Sequence, residues 1–173
     1  INKYFTKREI INLTKKNKRI LLCFIKEKII DVDISIAKIL IGFHHFFSPE
    51  IRSLIDQCIK EKTKINFNQK EIEVILAELA ENFEENRKNG ENENQICKII
   101  RNDSIDDFIK YIKDTLCKLN STIKSSSYET NSLLLYRKTT LIEYAMFYGS
   151  IKIIKYLMKK KVELVPSLWI YAI

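Results

Sequence analysis

The chain is poor in the residues that make turns. Among 173 residues there are 3 Gly and 2 Pro, which starves an all-β design of its hairpins and suits helices joined by short polar links. Glycine-rich signatures are missing as well. Three widely separated glycines cannot build a phosphate cradle, and no G-x-G-x-x-G, H-E-x-x-H or G-x-S-x-G pattern occurs. The apolar run Ile20 to Ile25, which no other run exceeds in length, is far too short to span a bilayer. Histidine is confined to the pair His44-His45. Neighbouring residues on a helix point about 100° apart, so a shared metal is disfavoured. Cys23, Cys58, Cys97 and Cys117 lie far apart without a C-x-x-C pair, which points to buried reduced thiols rather than a disulfide framework or a zinc site.

What is present is apolar mass and charge. Apolar residues make up 46% of the chain and the net charge is +8, so a buried core is feasible and wholesale disorder is not expected. Residues 1–30 hold nine basic residues against two acidic ones. Residues 69–93 hold eight Glu against three basic residues, and residues 150–161 hold five Lys and no acid. Such blocks act as solvated faces or steer oppositely charged partners. The candidate basic patch is Lys15, Lys16, Lys18 and Arg19.

Apolar spacing is helical throughout. Ile51, Leu54, Ile55, Cys58 and Ile59 form one stripe; Ile72, Ile75, Leu76, Leu79, Ala80 and Phe83 form a second. Ile105, Phe108, Ile109, Ile112 and Leu116 form a third. Thr6-x-x-Glu9, Asn68-x-x-Glu71 and Thr140-x-x-Glu143 have the form of capping boxes. Ser48-Pro49 reads as an N-cap followed by a first-turn proline, and Ser104, Ser150 and Ser167 are further cap candidates. The pattern predicts helices over 6–14, 17–30, 34–46, 49–61, 69–88, 93–101, 105–116, 140–148, 151–160 and 167–173. The third, apolar nearly all round, is expected to be a buried centre. Residues 118–138 read as a long non-helical segment.

Near the C-terminus the sequence repeats itself. Thr140-Leu141-Ile142-Glu143-Tyr144-Ala145 aligns with Ser167-Leu168-Trp169-Ile170-Tyr171-Ala172, with Gly149-Ser150 and Ile151-x-Ile153-Ile154-x-Tyr156-Leu157 between them. A weaker copy runs from Ile96 through Ile105 to Tyr111-Ile112. This pattern resembles the ankyrin repeat, T-P-L-H-x-A-A-x-x-G-x-x-x-I-V-x-x-L-L. In it Thr140 caps the first helix, Ala145 sits where two helices touch and Gly149 makes the tight turn. The spacing between the two copies is shorter than the usual repeat of about 33 residues, so an abbreviated finger is expected between Lys159 and Pro166.

The chain further resembles a family of flagellate-protist proteins in which a helical domain of unknown function leads into ankyrin repeats. The stretches that carry this are Pro49-Glu50-Ile51, residues 82–92, 96–105, 119–124 and 128–132, Thr140–Ser150 and Pro166–Ile173.

The resulting expectation is an all-α fold: a helical-repeat, ankyrin-like solenoid with an irregular N-terminal helical part. Residues 1–90 form the N-terminal domain and residues 91–173 the degenerate repeats, cut within the last helix, with further repeats expected after residue 173. Because the chain opens on Ile1, a native start upstream is also expected. The resemblance implies a non-catalytic scaffold for a protein partner, without cofactor, metal or catalytic residue. It places partner contacts at Lys138, Thr139, Phe147 and Tyr148, with Phe147 and Tyr148 packing against residues 118–138 as the competing reading. A second function class stays open: a structural protein binding an acidic polymer through its basic N-terminal third. A cytoskeletal filament is favoured there over nucleic acid, because residues 1–30 contain few aromatics for base stacking. The expected location is the cytoplasm, with cytoskeletal association as an option.

Overall fold

The computed structural model describes residues 5–15, 17–62, 67–77, 79, 81–135, 138–166 and 168. The fold is all-α. Its helices are α1 (Lys7–Thr14), α2 (Lys18–Lys26), α3 (Ile34–Leu40), α4 (His44–Lys60), α5 (Gln69–Leu76), α6 (Phe83–Asn89), α7 (Gln95–Arg101), α8 (Ile105–Thr115), α9 (Ser132–Leu135), α10 (Leu141–Phe147) and α11 (Ile151–Lys159). Among the described residues the extended backbone pairs at a single isolated bridge, Thr122 with Thr140. The chain divides into two compact units, Ile1–Gly90 and Glu91–Ile173.

In the first unit α1 packs on α2, α3 on α4 and α4 on α5. Ile11, Leu21, Ile30, Ala37, Leu40, Phe46, Phe47, Ile51 and Ile75 are its best-buried apolar side chains. The capping boxes at Thr6 and Asn68 both form, each with the Glu three residues on closing the box.

Three elements depart from the sequence reading. The expected break at Ser48-Pro49 is absent: α4 runs straight through Pro49, and the Ser48 hydroxyl donates back to the His44 carbonyl at 2.8 Å instead of capping. An interior proline costs a helix about 3 kcal/mol or more, but Phe46 and Phe47 before it and Ile51 after it are all in the core, and their burial holds the helix together. The break falls earlier, at a single 3-10 turn over Ile41–Phe43. This limits the centre expected over 34–46 to Ile36, Ala37 and Leu40 in α3 and Phe46 in α4.

The helix expected over 69–88 is two helices. Arg52 ends the first, its Nε donating to the Ile75 carbonyl at 2.7 Å and its terminal nitrogen to the Ala77 carbonyl, so carbonyls left open at the end of α5 are satisfied from another helix. The helix expected over 17–30 stops at Lys26, and Lys28 follows with φ 54°.

Of the four thiols expected inside, Cys58 and Cys97 are buried, Cys117 is half-buried and Cys23 is exposed. Cys23 lies on the polar side of α2, opposite Leu21. A thiol reagent added to the native protein is therefore expected to label Cys23 first and to reach Cys97 only after unfolding, as mass spectrometry of the modified peptides would show.

The second unit is two helix pairs. α7 packs on α8 and α10 on α11; α7 also packs on α10, and α8 on α11. Ile96, Cys97, Ile100, Phe108, Leu141, Ile142, Tyr144, Ala145, Ile153 and Leu157 make one apolar cluster. Both pairs turn the same way. In the first, Asp103 N–H donates to Ile100 and Ser104 N–H to Ile99; in the second, Gly149 N–H donates to Met146 and Ser150 N–H to Ala145. The residue at the bend is left-handed in each, φ 47° at Asp103 and 66° at Gly149. Glycine adopts that conformation freely and aspartate tolerates it.

Asp103 does more than bend the chain. Its carboxylate accepts the N–H groups of Lys152 and Ile153, both at 3.0 Å, and so caps α11 from the neighbouring pair. The candidate caps Ser104 and Ser150 do not cap their own helices. Ser150 donates instead to the Ile100 carbonyl at 2.6 Å, a second tie between the pairs. Thr140 does close its capping box. After α11, Lys161 turns with φ 57° and residues 162–165 form no strand. Of the helix expected over 167–173 only Leu168 is described, and it is buried; Ser167 and residues 169–173 lie outside the described residues.

Candidate binding site

The segment between α8 and α10 is fixed at its ends and in its middle. Beside the Thr122–Thr140 bridge, Ile123 N–H donates to the Thr139 carbonyl at 2.7 Å and Leu141 N–H to Ser121 at 3.2 Å. In the middle, Ser126 donates to the Glu93 carboxylate and accepts from the N–H groups of Tyr128 and Glu129. Glu129 Oε1 accepts from Thr130 N–H at 2.9 Å and Asn131 N–H at 2.8 Å. Asn131 in turn accepts Leu133 N–H, which starts α9, a single helical turn inside a segment expected to be non-helical throughout. A stretch without regular structure thus satisfies its backbone through its own short polar side chains.

Asn92 ties this segment to the first helix pair. Its amide donates to the Lys124 carbonyl at 2.8 Å and accepts from Asn94 N–H at 3.0 Å. Beside it Arg101 is held on three sides. It donates to the Asn92 carbonyl at 2.9 Å and the Tyr144 hydroxyl at 2.7 Å, and pairs with Glu91 at 2.9 Å. Its guanidinium also lies 5.7 Å from the Tyr148 ring centroid, a cation–π distance.

Burial governs the titration of these groups. It pushes the Tyr144 phenol up, with Cys97 next to it adding to the effect. It pushes Tyr148 up to about 12, reinforced by the Glu129 charge, and the Cys97 thiol up to about 12. Burial likewise raises the Glu129 carboxyl, opposed by the N–H groups of Asn131, Thr130 and Asn92 and by Arg101.

For Glu129 the consequence can be measured. A carboxyl raised in the folded state holds its proton where the unfolded chain has released it. Its contribution therefore favours folding below the unfolded value, near 4.5, and is lost as pH rises through the higher folded value. Glu129→Gln keeps an acceptor for Thr130 and Asn131 and is expected to flatten that fall, seen as a melting temperature less dependent on pH just above 4.5 than in the unaltered protein.

Around this network lies a cavity of about 340 Å3. It is lined by Asn92, residues 122–126, Glu129, Leu134, Leu135, Lys138, Thr139 and Tyr144. Two of the residues predicted for partner contact, Lys138 and Thr139, belong to it: Lys138 is exposed, whereas Thr139 is buried. The other two, Phe147 and Tyr148, are half-buried and stack together with ring centroids 4.9 Å apart. Tyr144 joins the two sets, since it lines the cavity and its ring is 4.8 Å from that of Tyr148.

The residues of the candidate basic patch differ in exposure. Arg19 is exposed, and Lys15 is half-buried with its ammonium on Asn12 at 3.1 Å. Lys18 is withdrawn, 6% exposed with its ammonium 5.5 Å from the Phe46 ring centroid. It begins α2 just after the Asn17 cap and is buried in that helix together with Leu21. Lys16 lies outside the described residues.

Composition offered no signal for Glu129, Arg101 or Asp103. Each reads as one polar residue among many; the partners of Asp103 and the Tyr144 partner of Arg101 lie more than 40 residues away, whereas those of Glu129 are its neighbours Thr130 and Asn131 in a segment without periodicity. His44 and His45 have ring centroids 3.7 Å apart. Among the described residues no three His, Cys, Asp or Glu side chains gather as a metal set, and no helix is long and apolar enough to cross a membrane. No protein-family model, curated protein or solved structure matches the chain.

Proposed function

We propose that the chain is a non-catalytic protein-interaction scaffold of ankyrin type, whose second unit begins a helical-repeat solenoid. The observation that carries this reading is the shared turn of the two helix pairs, left-handed at Asp103 and at Gly149, with the second pair laid on the first. A pair that cannot hide both apolar faces by itself is stabilised by stacking on a neighbour. α10 and α11 also carry an apolar groove of about 420 Å3, lined in part by Met146, Ile154, Met158 and Leu164, which a further pair in the same register would cover.

In this reading the partner face is Lys138, Phe147 and Tyr148, with Arg101 and Tyr144 against Tyr148; Thr139, expected there from the repeat pattern, is buried and makes no partner contact. Aromatic side chains held in place by their neighbours are the kind of anchor on which protein interfaces concentrate their energy. The argument is from stacking and surface chemistry, since fold alone does not specify function.

The test is capture of a partner from cytosolic extract on the immobilised protein, read by mass spectrometry for the unaltered chain, for Lys138→Glu and for Phe147→Ala/Tyr148→Ala. Each variant is first checked for native helicity. The expected result is a protein retained between about 50 and 200 mM salt by the unaltered chain and lost by both variants. Retention that ignores the variants but collapses across that salt range would instead favour an acidic polymer bound by lysines and arginines, and would overturn the repeat-face reading.

A further inference from the structure

Helix α11 turns two stripes outward. Ile151, Ile154 and Met158 stand at i, i+3 and i+7, and Lys152, Lys155 and Lys159 repeat that spacing one residue later. Residues so spaced share one side of a helix, so the apolar and basic stripes run side by side. Ile151, Met158 and all three lysines are exposed and Ile154 is half-buried, while the core side of α11 is taken by Ile153 and Leu157. Residues 150–161 hold no Asp or Glu. The carboxylate of Asp103 meets α11 at the N–H groups of Lys152 and Ile153, so no acid on the helix itself offsets the basic stripe.

Ile154 and Met158 of the apolar stripe form one wall of the groove of about 420 Å3. Ile142 and Met146 of α10 and Leu164 and Val165 after α11 form the others, and among the described residues the lining is apolar throughout. Both methionines of the chain belong to it. Unbranched, polarizable methionine adapts to what packs on it and suits grooves that receive helices. Two occupants fit this layout poorly. A second copy docked two-fold through the same face sets Lys152, Lys155 and Lys159 against their own counterparts, and like charges across an interface oppose association. A small apolar ligand is held by enclosing most of its surface, but Met158 and Leu164, 54% and 56% exposed, leave the groove open.

We propose that this groove takes an amphipathic helix of an acidic partner protein. Its apolar side lies on Met146, Ile154 and Met158, and carboxylates on one flank of that side run along the lysine stripe of α11. The apolar groove supplies the affinity, and the lysine stripe sets which flank of the incoming helix is acidic and rejects a basic one. The inference rests on the reading of the second unit as stacked helix pairs, whose uncovered side it assigns to a helix supplied by another chain. It uses residues separate from Lys138, Phe147 and Tyr148.

The test is fluorescence anisotropy of labelled peptides titrated with the full chain. The probe is a designed helix of about 20 residues, with Leu at i, i+3 and i+4 spacing and Glu on one flank. One control keeps Glu and replaces Leu by Gln; the other keeps Leu and replaces Glu by Lys. Saturable binding of the probe is expected, with both controls weaker by about tenfold or more. Met158→Ser/Leu164→Ser, at two exposed positions, is expected to weaken the probe by about tenfold in a chain that keeps its helicity. Lys152→Glu/Lys155→Glu/Lys159→Glu is expected to lose the probe and to bind the Lys-flanked control instead. Lys98→Glu/Lys110→Glu/Lys113→Glu, the same change of net charge placed on α7 and α8, is expected to alter neither. Lys138→Glu and Phe147→Ala/Tyr148→Ala are expected to bind the probe unchanged, so failure of the partner face and failure of the groove are told apart. The proposal is overturned if the probe does not bind up to about 1 mM, if the Gln control binds as well, or if the α7–α8 reversal abolishes binding as fully as the α11 one. It is equally overturned if phosphatidylserine vesicles displace the probe, or if the chain sediments as a dimer that Met158→Ser/Leu164→Ser dissociates.

Discussion

Glu50→Ala is expected to destabilise the first unit by about 3–5 kcal/mol, the cost of leaving one member of a buried ion pair alone. Glu50 and Arg87 meet at 2.6 Å with side chains only 14% and 4% exposed. The Arg87 guanidinium also lies 5.5 Å from the Phe46 ring centroid and 5.6 Å from that of Phe83. Without Glu50 the guanidinium stays among aromatic rings with its charge uncompensated, and water reaches it poorly. The measurement is urea denaturation followed by helical circular dichroism. The companion variant, Glu50→Leu with Arg87→Met, removes both charges and is expected to recover most of the loss, because an apolar pair of similar volume often replaces a buried ion pair without penalty. A loss below about 1 kcal/mol for Glu50→Ala would show the pair to be as weak as a surface bridge.

Tyr144→Ala is expected to cost the second unit about 3–5 kcal/mol, as large-to-small changes of buried aromatics do. Tyr144 is 1% exposed, packs against Tyr148 and accepts a hydrogen bond from Arg101. Tyr144→Phe isolates the hydroxyl from the ring. It removes the acceptor for Arg101 together with the hydroxyl's contacts to Tyr148 and Cys97, while Arg101 keeps the Asn92 carbonyl and Glu91, so a cost of about 1–2 kcal/mol is expected. Thermal denaturation of the two variants side by side separates the contributions. Equal losses would mean that the ring's burial contributes little and the polar contact dominates.

The contrast between these residues shows what a sequence makes legible. The boxes at Thr6, Asn68 and Thr140 were readable because a cap and its partner lie three residues apart, within one turn. The stripes through α4 and α8 were readable for the same reason, since the 3.6-residue period brings their apolar residues to one face, except at their last members Ile59 and Leu116, which are exposed. The stripe read over 72–83 ran past the end of α5, with Leu76 and Leu79 exposed. Pro49 misled because local propensity gave way to burial: Phe46, Phe47 and Ile51 hold α4 continuous across a residue that ordinarily ends helices. Lys18 misled because a charge count does not say which way a side chain points. Arg52, Asp103 and Arg101 were invisible as structural residues because each satisfies groups far along the chain, Arg52 at Ile75 and Asp103 at Lys152. Of the candidate site, Lys138, Thr139, Phe147 and Tyr148 were named from the repeat pattern. The cavity that holds the first two depends on Glu129 and Asn92, whose roles exist only once the chain has closed on itself.

The bridge between Thr122 and Thr140 makes the chain leave and re-enter the second unit at adjoining points. A segment anchored so close to its own exit is decoupled in length from the helices on either side. The entropy of closing it grows only as the logarithm of the number of residues, about 0.6 kcal/mol for each doubling. Exchanges at the exposed Ser125, beside the Ser126 anchor but outside its hydrogen bonds, leave the two pairs in register, so the contour of this face can be varied without renegotiating the stability of the stack below it.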